Sequence, residues 1–335
     1  MFLVNAGVIK VDHDELECVQ LTNDFFNKLK FLEFLMCFIG WLGIGCSILQ
    51  YEQSYLKDYG KNAGSDDKRR YFILLAINTG CTITLVICVC FRYSLLLNWK
   101  IAKKLLSPFD TLITTKYFYN MGLEIVLLLV SPYVGMENWK IDEGYPDHGI
   151  SADLYVNEIL LFFAMIIRLY LGLRFLLIFQ YYMDSRSQRL CLVYGRKADF
   201  MYAIKCTMKD SPYAFLFLSI VVPLAIGGFT LRIFERHLLT VSGFDFNNLV
   251  NCVWCIFITM MTVGYGDYNP VSNVGRIIGI ISCLWGVFIV SIFVLTLTNL
   301  LEFSIGELKS FDILSKLKAK ETLKLKAIAV LKSAQ

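Results

Sequence analysis

Thr262-Val263-Gly264-Tyr265-Gly266-Asp267 is the stretch on which the reading of this chain turns. Its two glycines accept backbone dihedrals that side-chain-bearing residues resist, so successive carbonyls can be turned to one side. The carbonyls of Thr262, Val263, Gly264 and Tyr265, with the Thr262 hydroxyl, then form a stack of oxygens. Upstream, Asn248 to Met261 is mostly apolar and aromatic (Leu249, Val250, Val253, Trp254, Ile256, Phe257, Ile258). That is too short to cross a bilayer and long enough for a re-entrant half-helix. Such a helix would aim the negative end of its dipole at the loop and attract cations. Downstream, Tyr268-Asn269-Pro270 breaks the chain, and a long apolar run begins near Gly275.

Beyond the loop, the composition is that of a membrane protein: 56% of the 335 residues are hydrophobic, against roughly 45–50% in soluble domains. Apolar runs near the ~20 residues that cross a bilayer lie at Phe31–Leu49, Tyr71–Phe91, Tyr117–Val134, Leu154–Gln180, Tyr213–Phe234 and Gly275–Leu301. The expected fold class is therefore an all-α membrane protein with six transmembrane helices, a re-entrant pore helix and a selectivity-filter loop. The third run is the shortest and is interrupted by Pro132, which makes its outer end the least defined. Spanning helix, short helix, glycine-bearing loop and second spanning helix follow in the order that a pore needs. A Thr-Val-Gly-Tyr-Gly loop replaces the water shell of K⁺ with carbonyl oxygens, so K⁺ is the expected ion at Thr262, Val263, Gly264 and Tyr265, and one chain supplies a quarter of each ring in a homotetramer.

The expected organisation runs from a cytosolic N-terminus (1–30) through a four-helix peripheral domain (31–180), cytosolic linker helices (181–211) and a pore domain (212–303) to a cytosolic basic helix (304–335). No cleavable signal peptide is apparent, since Asp12, Asp14, Glu15, Glu17 and Asp24 occupy the first thirty residues. Both termini are expected in the cytosol and the plasma membrane is the expected location. Basic loops agree with this: Arg92, Lys100, Lys103, Lys104 and Lys116 follow the second run, and Arg186, Arg189, Arg196, Lys197, Lys205 and Lys209 follow the fourth. Met136–Asp153 is acidic and suits the outer face. Lys68, Arg69 and Arg70 dissent, lying in what should be an outer loop.

The net charge of +4 is accounted for by these basic loops facing anionic lipid and calls for no nucleic-acid partner. Of the eleven cysteines, Cys37, Cys46, Cys81, Cys88, Cys90 and Cys283 fall inside the apolar runs, where they read as small apolar residues. Cys252 and Cys255 share the short helix without a second pair or a histidine nearby. His13, His148 and His237 are scattered and no catalytic or nucleotide-binding pattern is present, so no enzyme is expected.

A voltage-sensing helix carries a cationic residue at every third position. The fourth run has only Arg168 and Arg174, with Leu171 between them, and Glu124 in the third is a candidate partner. Arg168-Leu169-Tyr170-Leu171 in this charge-poor run, Arg232-Ile233-Phe234-Glu235-Arg236-His237 ending the fifth and Leu301-Glu302-Phe303 ending the sixth resemble the small- and intermediate-conductance calcium-activated potassium channels, a voltage-insensitive family. Phe118-Tyr119-Asn120-Met121-Gly122-Leu123-Glu124 in the third run fits as well. The likeness covers about Trp99 to Glu307.

The resemblance implies opening by intracellular calcium through calmodulin, which in that family is bound after the pore and grips the linker between the fourth and fifth spans. The corresponding linker is Tyr182–Ser211, where Ser185, Arg186, Ser187 and Leu190 would meet the partner and Arg196–Lys209 would form a second helix. Alignment from the filter places the family's hydrophobic gate at Val294, with Val287 and Val290 lining the cavity above and Thr298 one turn below. Ser310–Lys332 reads as a basic amphipathic helix matching the first part of the family's calmodulin-binding region. Asn299-Leu300 stands where the family has Arg-Lys. Two alternatives stand beside this reading: a lipid-regulated or weakly voltage-dependent potassium channel, and a non-conducting scaffold subunit derived from a channel.

Overall fold

The computed structural model describes residues 19–56, 65–136, 139–145, 150–196, 198–239 and 243–333, without the side chains of 56, 65–68, 142–145, 150–153 and 333; His13 and His148 lie outside it. The protein is predominantly α-helical. Its helices are α1 (Val19–Leu56), α2 (Ser65–Ala102), α3 (Tyr117–Leu128), α4 (Val156–Ile178), α5 (Ser185–Val193), α6 (Phe200–Asp210), α7 (Pro212–Glu235), α8 (Leu249–Met260), α9 (Asn273–Leu301) and α10 (Ile305–Ser333). A hairpin of β1 (Lys140–Tyr145) and β2 (Ile150–Tyr155) precedes α4, paired antiparallel with Ile141 opposite Leu154. Among the described residues five helices, α1, α2, α4, α7 and α9, are long and apolar enough to cross a membrane, and the protein is an integral membrane protein.

Hydropathy marks where a helix is wet and where it is greasy, not where it stops, because helical amides satisfy one another in both environments. Hence α1 and α2, 38 residues each, run about 57 Å at 1.5 Å per residue. That is nearly twice the ~30 Å hydrocarbon core. α1 already includes Val19, inside the 1–30 stretch expected as a cytosolic N-terminal segment. The fourth span starts two residues later than expected, because Leu154 and Tyr155 belong to β2.

The third span is corrected more substantially. α3 has 12 residues, about 18 Å of helix, and does not cross a bilayer alone. The helix stops at Leu128 because the following chain is held sideways: the Asn78 amide on α2 donates to Ser131 Oγ at 3.0 Å and to the Pro132 carbonyl at 2.8 Å. Pro132 has no amide hydrogen to extend a ladder.

Among the described residues, the two larger of three apolar clusters organise the molecule. Met36, Leu85, Cys88, Val89, Tyr93, Leu128 and Leu171 join α1, α2, α3 and α4. A second core, including Ile44, Tyr51, Leu161, Phe229, Phe234, Phe246, Ile256 and Ile278, joins α1 and α4 to α7, α8 and α9. α7 opens with Pro212 at its first turn, where the missing amide hydrogen costs nothing. α10 forms as expected, but its leucines and lysines are spread around the whole circumference and its described residues are exposed. The amphipathic face expected over Ser310–Lys332 is therefore corrected: apolar residues at mixed spacings drift around the helix instead of holding one side.

Candidate functional site

α8 is started by Asn248, whose side chain accepts from the Val250 amide at 3.0 Å, and α9 by Ser272, whose hydroxyl accepts from Gly275 at 2.9 Å. These caps hold the ends of the segment that contains the loop. Leaving α8, the chain tightens: the amides of Val263 and Gly264 both reach the Ile258 carbonyl, at 3.0 and 3.4 Å. Thr262, Gly264 and Gly266 have φ of 56°, 57° and 79°, whereas Val263 and Tyr265 between them do not take positive φ. Left-handed backbone at every second residue turns consecutive carbonyls toward one side. Gly264 and Gly266 take it without penalty; Thr262, β-branched, is held there at a cost of about 1–3 kcal/mol.

The loop is braced from behind. Trp254 on α8 stacks on Tyr265 with ring planes 9° apart, and its indole donates to Asp267 Oδ2 at 2.8 Å. Asp267 Oδ1 accepts from the Tyr268 amide at 3.1 Å, and the Tyr268 ring packs between Phe244 and Phe246. The Cys252 and Cys255 thiols donate to the carbonyls of Phe246 and Tyr268 at 3.3 and 3.4 Å, so this pair packs and hydrogen bonds within the pore segment. Glu235, fully buried at the end of α7, accepts from the Val271 and Ser272 amides and the Ser272 hydroxyl at 3.1, 2.9 and 2.6 Å. That carboxylate ties α7 to the start of α9, and sequence reasoning did not single it out.

Thr262 to Asp267 are all exposed in the single chain. α9 is covered on one stripe only, by Gly275, Ile278, Gly286 and Ile289. Val287, Val290, Val294 and Thr298 are exposed and share a different face, roughly a third of a turn around the helix. The structure thus puts the four expected gate and cavity residues on one stripe, free of contact with the chain's own core. The four linker residues divide: Ser185 and Ser187 are buried, whereas Arg186 and Leu190 are exposed. α5 is anchored by Lys30 to Asp184 at 3.1 Å and by Lys103 to Gln188 at 2.7 Å. The second linker helix starts at Phe200, not Arg196, because Gly195 takes φ of 68° and ends α5.

The two arginines of α4 have different roles. Arg174 donates to Glu33 Oε2 at 2.6 Å and to Glu124 Oε1 at 2.8 Å, and Arg92 donates to the other oxygen of each, at 2.6 and 3.0 Å. Two arginines and two glutamates from four helices close a neutral ring, with the Tyr170 hydroxyl donating to Glu124 at 2.8 Å. Glu124 was expected as a partner; Glu33 and Arg92 were missed. Their signal was available, as charges inside or bordering the first and second apolar runs. Arg168 is 1% exposed and takes neutral partners, Ser131 at 3.0 Å and Asn78 at 3.4 Å.

Comparison with known proteins is consistent with this geometry. Residues 216–303 match a family model described as ion channel. The chain is 25% identical to a small conductance calcium-activated potassium channel protein of Drosophila melanogaster over 53% of this chain and 18% of that protein. It is 22% identical to a voltage-gated potassium channel of Aeropyrum pernix over 78% of this chain and 83% of that one. It is 30% identical to a voltage-gated potassium channel regulatory subunit of Homo sapiens over 32% of this chain and 20% of that one. The matched segment spans about a fifth of the length of the calcium-activated relatives. These matches are to ion channels and bear out the resemblance to the calcium-activated potassium channels.

Proposed function

We propose that the chain is one subunit of a homotetrameric potassium-selective channel, opened by intracellular calcium through calmodulin and not by voltage. The observation that carries the conduction half is the alternation of left-handed φ along Thr262, Gly264 and Gly266 in a loop exposed at the end of a short apolar helix. Four copies around one axis would join their stacked oxygens into rings. K⁺ would shed its water onto the carbonyls of Thr262, Val263, Gly264 and Tyr265 and move between adjacent sites, with repulsion between ions offsetting the attraction of each site. Asp267, held by Trp254, sets the outer end. Val287 and Val290 would line the cavity, and a ring of Val294 would close it by dewetting, with Thr298 below.

The gating half is supported by the paired state of Arg174. A guanidinium bound to two buried carboxylates is a poor gating charge, because moving it through the field breaks two ion pairs in a low dielectric. Exposed Arg186 and Leu190 on α5, with Met201 on α6, offer basic and apolar contacts to an acidic, methionine-rich partner such as calmodulin. Calcium would act through that partner, and the plasma membrane with both termini cytosolic is the arrangement this requires.

A second reading is favoured by the regulatory-subunit relative: a subunit that conducts only beside other chains, or not at all. Purified chain in liposomes separates the two. Unmodified protein should pass K⁺ in preference to Na⁺, and Gly264→Ala, which forces a Cβ onto left-handed backbone, should lose that flux while still assembling. Selective flux surviving in Gly264→Ala would sink the filter assignment; no flux from the unmodified chain under any calcium or voltage would favour the second reading.

A further inference from the structure

Between α2 and α3 the chain reverses through residues 103–116, beside the level where α4 ends. Ile178, the last residue of α4, clusters with Phe26 and Leu29 of α1 and with Trp99 near the end of α2. The Lys103 ammonium lies 3.9 Å from the Trp99 ring centroid, and the Lys100 ammonium donates to the Tyr117 hydroxyl at the start of α3. Tryptophan and tyrosine beside lysine at the ends of spanning helices are the composition of a membrane–water boundary. Leu112 folds back against the core shared by α1 to α4, which keeps the reversal close to that boundary.

The backbone of the reversal is tied to itself. Asp110 Oδ2 accepts from the Ser107 amide at 2.8 Å, the Thr114 hydroxyl accepts from the Thr111 amide at 2.8 Å, and the Phe118 amide donates to the Leu112 carbonyl at 3.1 Å. Leu105, Phe109 and Ile113 are nevertheless 65%, 91% and 73% exposed. Single exposed apolar residues are ordinary; three in one short reversal at a bilayer boundary call for an apolar neighbour. That neighbour is already present, because exposed Ile87 and Phe91 on α2 and exposed Tyr119 and Leu123 on α3 bring lipid-facing surface to the loop from both sides.

Charge narrows the kind of lipid. Residues 100–116 carry Lys100, Lys103, Lys104 and Lys116 against Asp110 alone, and Asp110 is engaged by the Ser107 amide. Lys104 and Lys116 are exposed. Lysine stems lie along apolar surface while their ammonium groups reach outward to headgroups, and each cation held near an anionic bilayer is drawn to it.

We propose that the loop between α2 and α3 is an interfacial anchor: Leu105, Phe109 and Ile113 sit among the acyl chains beside the headgroups of an anionic membrane surface, and Lys104 and Lys116 meet its phosphates. The proposal rests on the chain being a membrane protein and not on ion conduction. Through the bond of Lys103 to Gln188, 2.7 Å long, the anchor also holds α5 near the same surface.

The test is tryptophan fluorescence of the full chain in lipid nanodiscs, with Phe109→Trp as the probe and the unmodified protein as the blank. Position 109 is almost bare, so the larger ring displaces no packing. In discs of phosphatidylcholine with phosphatidylserine, the added emission should be blue-shifted, and it should lose most of its intensity when the lipids carry bromine near the headgroup end of their chains. Removing phosphatidylserine, or adding Lys104→Gln and Lys116→Gln, should shift the emission to the red and weaken the quenching. Red-shifted emission untouched by bromine would overturn the proposal and leave the loop in water. Blue-shifted emission untouched by bromine would overturn it in favour of a second copy or another protein seated on the loop. Equal quenching with and without phosphatidylserine would overturn the assignment to an anionic surface. Should Phe109→Trp fail to fold, Ile113→Trp gives the same readings. No flux is measured, so failure of the anchor leaves the channel reading standing.

Discussion

Arg174 shows what a single residue can say before the fold is known and what it cannot. Its place in an apolar run announces a buried or moving charge; only the packed bundle reveals that Glu33 and Glu124 flank it and that Arg92 closes the ring. Replacing one member of a buried ion network leaves an uncompensated charge, which costs about 3–5 kcal/mol. Arg174→Gln is therefore expected to lower the thermal midpoint of the detergent-solubilised protein sharply. Arg92→Gln, which strips the same two glutamates, should do so by a similar amount, and a midpoint unchanged in both would mean that the ring contributes nothing. Trp254 makes a smaller prediction. Trp254→Phe keeps an aromatic ring beside Tyr265 but removes the bond to Asp267, worth about 1 kcal/mol. The expected result is a working pore with a lowered K⁺-over-Na⁺ permeability ratio, read from reversal potentials; an unchanged ratio would make this brace dispensable for selectivity.

Among the elements, α8 and α9 were legible almost to the residue, because caps at Asn248 and Ser272 and the break at Tyr268-Asn269-Pro270 are written locally. Their crossing was not. A Cβ on Gly286 would overlap the carbonyl and Cα of Met260, so α9 passes the end of α8 at backbone distance. Gly286→Ala should force the two helices apart, at about 1–3 kcal/mol or more. Gly279→Ala is the control, since its Cβ would meet nothing closer than Pro270 at 4.0 Å. Size-exclusion profiles and thermal midpoints of the two variants should separate them, and equal behaviour would refute the close approach. α3 taught the opposite lesson. Its apolar run looks like a span, but Asn78, 53 positions before Ser131, bends the chain away after twelve residues. No window over the local sequence contains that bond.

For the whole molecule, the uncovered filter loop and the uncovered valine stripe of α9 are surfaces that a single chain leaves bare in its most apolar segment. Native mass spectrometry should return four copies, and a stable monomer would leave the loop without its rings. In excised patches at fixed voltage, current should rise with calcium at the cytosolic face; current that follows voltage and ignores calcium would reject calmodulin gating. The sequence by itself determined the membrane class, the short apolar helix with its glycine-bearing loop, and the scarcity of charge in α4, because hydropathy, glycine placement and helix caps act over a few residues. Only the tertiary structure decided that Arg174 is neutralised, that α3 falls short of a span, that α10 lacks a single apolar face in contact with the rest, and that Tyr51 and Asn157 share a cleft with Glu158. Ion pairs, close helix crossings and clefts depend on which distant residues are brought within a few ångströms, and that follows from how the helices pack.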